Sequence, residues 1–149
     1  MSSTTFFILM AILAGLSVPT QAGINAQLGL WTKSPVLAST ISFAVGTLTL
    51  IIYSLATRIP LPVLASAGNH PWWIWFGGML GAFFVTATII LVPKLGATSM
   101  VALILAGQMF ASLLLDHFGA LGYPLHPISL GRIAGVLMLC GGVWLIKAY

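Results

Sequence analysis

Six charged side chains interrupt the 149 residues: Lys33, Arg58, Lys94, Asp116, Arg132 and Lys147, with long apolar runs between them. Charged residues make up 4% of the chain and hydrophobic residues 60%, with a mean hydropathy of +1.13. Soluble domains carry about a quarter charged residues, so a soluble fold is excluded. A helix needs about 20 largely apolar residues to cross a bilayer, and several such runs follow one another here. The expected fold is an all-α membrane protein with five transmembrane helices, at about residues 5–31, 35–57, 72–92, 98–118 and 130–147 of a single transmembrane domain.

Five cations against one acid give a formal net charge of +4. Scattered cations do not make a nucleic-acid surface, and these read instead as anchors at the ends of spans. The run Phe6 to Leu16, followed by Thr20-Gln21-Ala22, has the outline of a signal peptide. No Lys or Arg precedes it, however, and the apolar pattern continues to Trp31, so the segment reads as a membrane span. Cys140 is the single cysteine, which rules out a disulfide framework.

The first span carries a polar stripe. Ser17, Gln21 and Asn25 stand at steps of four, which places them on one helix face. Pro19 lies among them; it donates no backbone hydrogen bond and crowds the carbonyl four residues back, that of Gly15. A kinked helix lining a substrate path is expected. At 1.5 Å per residue it measures roughly 40 Å, longer than a bilayer core, and must tilt or bend.

The other spans carry related patterns. Ser34 is an expected N-cap for the second helix, with Pro35 at its first position, and Arg58, Pro60 and Pro62 end it. Ser39, Ser42, Gly46, Thr49 and Tyr53 give that helix one small, polar face. Trp72, Trp73 and Trp75 open the third span as an interfacial aromatic belt. Gly77 and Gly81 then form a small-residue pair suited to helix packing, and the span reaches Pro93-Lys94. The fourth is expected to start at a Thr98-Ser99 cap and to carry a second stripe, Gln108, Ser112 and Asp116, with Gln108 and Ser112 as further candidates for substrate lining and Gln108 meeting the first stripe across one cavity. The fifth has its own glycine pair, Gly131 and Gly135, for packing or dimer contact.

Asp116 admits two readings. It is a salt-bridge partner for Arg132 or Arg58, which fall on the same side of the membrane. Alternatively it is the carboxylate that carries a coupling proton, with His117 beside it. His70 and His126 sit in loops. No His, Cys or carboxylate set has metal-ligand spacing, and His117 is adjacent to the only acid, which precludes a triad. Neither an enzyme nor a cofactor is expected.

Five spans put the termini on opposite sides. Arg58 and Arg132 then face one side and Lys33, Lys94 and Lys147 the other. Loop cations set orientation, and two against three is almost no bias. Dual topology is expected, with opposed copies pairing about an axis in the membrane plane, as fused inverted repeats do within larger transporters; the alternative is one fixed orientation set by a weak but sufficient bias.

The chain resembles the YdcZ-like family, five-helix bacterial inner-membrane proteins of the drug/metabolite transporter superfamily. The resemblance rests on Gly15 through Asn25 with Gln27, Ser42-Phe43 with Gly46-Thr47, and Pro71-Trp72-Trp73. It continues in Gly77-Gly78, Gly81-Ala82-Phe83-Phe84, Leu95-Gly96-Ala97, Gly107-Gln108, Asp116-His117-Phe118-Gly119 and Gly122. It implies a half-transporter working as an antiparallel homodimer in the inner membrane and moving a small organic solute by alternating access. Four-helix multidrug members of the superfamily carry a glutamate in helix 1; here the comparable stripe is Ser17, Gln21 and Asn25. That departure implies a neutral or zwitterionic solute, or coupling through another residue. A dual-topology ion channel and a non-transporting membrane partner subunit are the alternatives.

Overall fold

The computed structural model describes residues 3–59, 68 and 70–149. Pro60 and Pro62, expected to end the second helix, lie outside the described residues. Five helices long and apolar enough to cross a membrane follow one another: α1 (Ser3–Thr32), α2 (Pro35–Ala56), α3 (Phe76–Leu95), α4 (Ala97–Phe118) and α5 (Leu130–Ala148). They fall into two compact units, Met1–Lys94 and Leu95–Tyr149.

In the first unit α1 packs against α2. Pro19 sits inside α1, and helical residues continue on both sides of it. Ser17 Oγ donates to the Ala14 carbonyl at 2.7 Å, and Thr20 Oγ1 donates to the Leu16 carbonyl at 3.1 Å. These two carbonyls flank that of Gly15, the one that Pro19 leaves without its helical donor. Ser34 caps α2, its hydroxyl accepting from the Leu37 N–H, with Pro35 in the first turn.

A single 3₁₀ turn, Trp72–Trp75, precedes α3, and the two make one 24-residue span. The Trp72 ring meets Phe76 edge-on at 5.3 Å. Three contacts seat α3. The Ser39 hydroxyl lies 2.8 Å from that of Thr86. Gly29 leaves so little room that a Cβ there would stand 2.8 Å from Ile89 Cγ2. Gly81 faces the Phe43 ring, whose Cζ would lie 3.3 Å from an added Cβ. Ala38, Val85 and Ile89 form the buried core, with Leu28 and Phe84 against it. In lipid the apolar outer faces need no cover; close packing and hydrogen bonds hold helices together.

The helix ends near residue 96 differ from expectation. α3 continues through Pro93 to Leu95, and Gly96, with φ of +75°, precedes α4. Gly96, rather than Thr98 or Ser99, is the N-cap, and no side chain caps the helix there. A left-handed φ admits glycine without cost, and this backbone lets α4 begin at Ala97, with Thr98 and Ser99 already in its first turn.

In the second unit α4 packs against α5. Gly119 ends α4 in the left-handed conformation, φ +59°, as glycine does at a helix C-terminus. A 3₁₀ turn, Ala120–Gly122, follows. The Ser129 hydroxyl caps α5, accepting from the Arg132 N–H at 3.3 Å.

Candidate functional site

Ser17, Gln21 and Asn25 of α1 and Ser42 and Gly46 of α2 line one groove of about 730 Å³. The stripe read from the sequence thus faces α2. Leu16, Ile24, Leu28 and Val45 supply apolar wall around the polar groups, and among the described residues no ionisable side chain lines the groove.

Asn25 is the buried member of this set, at 4% exposure, and its Nδ2 has no hydrogen-bond partner among the described residues. An unpaired buried amide donor costs about 1–3 kcal/mol, so such groups mark sites where something else completes the bonding. Gln21 and Ser17, one and two turns earlier, are exposed along the groove. Thr20 lines it as well and was missing from the set read by steps of four, since it lies off that spacing. A second hydroxyl on α2, Ser39, is instead engaged by Thr86 and by the Pro35 carbonyl, each at 2.8 Å, and acts as a packing bond.

The second unit holds a smaller groove of about 350 Å³, lined by Ser112 and Asp116 of α4 and Arg132 and Gly135 of α5. Arg132 Nη2 donates to Asp116 Oδ2 at 2.7 Å, and Nη1 donates to the His126 carbonyl at 2.8 Å. Arg132 is therefore the partner of Asp116. The loop between the helices is drawn onto the end of α4 by two further bonds. The His126 N–H donates to the Asp116 carbonyl at 2.8 Å, and the Ile128 N–H donates to His117 Nδ1 at 3.1 Å. The Asp116 carbonyl thus accepts from both the Gly119 and the His126 N–H at the end of the helix. Nδ1 of His117 is held as an acceptor by the Ile128 N–H, with the ring proton on the other nitrogen.

The remaining residues read from the sequence fall outside these two sets of polar contacts. Gln108 is exposed and lines neither groove. Of the glycines expected to pack helices, Gly81 meets Phe43, whereas Gly46, Gly77, Gly131 and Gly135 face open space within one chain. Gly29, which the spacing argument passed over, makes the tightest approach of all. Among the described residues no group of His, Cys, Asp or Glu could hold a metal ion.

Comparison with known proteins agrees with this architecture. A family model described as "Putative inner membrane exporter, YdcZ" matches residues 6–145. The inner membrane protein YdcZ of Escherichia coli (strain K12) is 39% identical over 75 residues, which cover 50% of this chain and 50% of the relative. The matched stretch thus spans half the length of that relative. No solved structure matches the chain. With five apolar spans and a family match over nearly its whole length, the chain belongs to the YdcZ family of multi-pass inner-membrane proteins in the drug/metabolite transporter superfamily.

Proposed function

We propose that the protein moves a small organic solute across the inner membrane, and that the α1–α2 groove is where the solute binds. The observation that carries this reading is Asn25: a buried amide whose N–H groups await an acceptor, on the wall of a groove large enough for a small molecule. Polar residues inside the membrane are costly and mark substrate paths when no structural partner takes them up. The family's description favours outward movement.

The working unit in this proposal is an antiparallel homodimer that exposes the groove to one side and then the other. Near-equal loop charge, two cations against three, supports insertion in both orientations. Asp116 is assigned a structural role here, because Arg132 pairs with it and ties it to the loop.

The test compares cells expressing the native protein with cells expressing Asn25→Leu at equal membrane abundance, by untargeted profiling of solutes inside and outside. The proposal expects at least one solute whose distribution changes with the native protein and not with the variant. Identical profiles from native, variant and empty cells would reject it.

A further inference from the structure

The hydrogen bonds inside the α1–α2 groove specify the polarity of what it takes. This step rests on the groove's being the solute site. Asn25 presents donor hydrogens with no partner. Ser17 and Thr20 have committed their hydroxyl hydrogens to the Ala14 and Leu16 carbonyls. A hydroxyl that donates backwards has only its lone pairs left to offer. The groove therefore carries donors at the Asn25 end and acceptors at the Thr20 and Ser17 end. Gln21, between them, and Ser42, on α2, can each serve as either.

The spacing of these ends follows from the helix. Thr20 lies five residues from Asn25 and Ser17 lies eight residues from it, a separation of about 7–12 Å at 1.5 Å per residue. Gln21 and Ile24 lie between the two polar ends, and Leu16, Leu28 and Val45 line other parts of the wall. Among the described residues no Asp, Glu, Lys, Arg or His lines the groove, and an unpaired charge in so apolar a setting would carry a heavy desolvation cost.

We infer that the groove binds an uncharged, elongated solute with a carbonyl-type acceptor at one end and a hydroxyl or N–H donor at the other. Its acceptor takes the Asn25 N–H groups, and its donor meets Thr20 or Ser17.

A short ladder of probes tests this on the purified full chain in lipid nanodiscs, read by ligand-observed NMR and thermal shift. The parent is 6-hydroxyhexanamide. Its methyl ether lacks the donor, 6-aminohexanamide adds a cation, and 6-hydroxyhexanoate replaces the amide by an anion. The parent is expected to bind, and the ether to bind about tenfold more weakly, the worth of one hydrogen bond. Both charged probes are expected to be weaker still. Asn25→Leu should lose the parent. The double variant Thr20→Val, Ser17→Ala, which removes both acceptor hydroxyls, should bind alcohol and ether alike.

A charged probe that binds as well as the parent and is lost in Asn25→Leu would overturn the solute class while leaving the site in place. Probes that bind equally to native protein and to Asn25→Leu would overturn both. Failure of every probe to bind would overturn the class inference, and the cellular flux comparison would still decide the site.

Discussion

Replacing Asn25 by leucine separates a binding residue from a helix-packing residue by the sign of its effect on stability. The two side chains share one branched shape, with two terminal groups on Cγ, so leucine is the apolar replacement nearest in form. If Asn25 were interhelical glue, its loss would weaken the fold by about 0.6 kcal/mol, the average for a hydrogen bond between membrane helices. Asn25 is instead 4% exposed with Nδ2 unpaired among the described residues. Removing an unsatisfied buried donor recovers its desolvation cost, about 1–3 kcal/mol. Asn25→Leu should therefore stabilise the ligand-free protein by at least about 1 kcal/mol, with loss of function, as expected where a site keeps a strained group for its ligand. The assay is reversible unfolding in mixed micelles, followed by circular dichroism across a denaturing-detergent titration. Any loss of stability in the variant would refute the argument.

Three further outcomes follow from other contacts. Gly29→Ala pushes a Cβ to 2.8 Å from Ile89 Cγ2; overpacking at about 1–3 kcal/mol outweighs the roughly 1 kcal/mol gained in helix propensity. The same unfolding assay should show a net loss that is smaller when Gly29→Ala is made in an Ile89→Ala background, while Gly78→Ala, which meets nothing within 4 Å among the described residues, is stabilised. Arg132→Ala removes the bonds to Asp116 and to the His126 carbonyl; the pair is partly exposed, so the global cost is about 1 kcal/mol or less, but limited proteolysis should cut residues 119–129 faster. Tyr149→Lys raises the loop count to four cations against two, and a C-terminal topology reporter that gives mixed signals for the native chain should give one orientation for the variant.

The sequence made some of this legible because hydropathy and residue period are local properties. Five spans follow from apolar runs set between rare charges, and steps of four place Ser17, Gln21 and Asn25 on one face whatever lies opposite. Period says nothing of the partner, so it could not show that Asn25 is buried while Gln21 is exposed, or that Ser39 finds Thr86. Glycine spacing has the same limit: Gly77 and Gly81 look equivalent, yet only Gly81 has a ring above it, and Gly29 sits in no obvious pair. The Thr98-Ser99 cap failed because a left-handed Gly96 starts the helix two residues early. For Asp116 the charge pattern offered Arg58 and Arg132 alike, and the loop that brings Arg132 within reach is a long-range arrangement of backbone bonds.

The most direct test of a hydrated solute path between α1 and α2 is cysteine accessibility in a Cys140→Ser background, because Cys140 is exposed. Single cysteines at Ser17 and Ser42 line the groove, and one at Leu50 lies on the exposed apolar part of α2. With Lys33→Cys as a loop control, a membrane-impermeant thiol reagent should label the Ser17 and Ser42 positions from either face of the membrane and leave the Leu50 position unmodified. Labelling at the loop control alone, with both groove positions as inert as Leu50, would contradict the account.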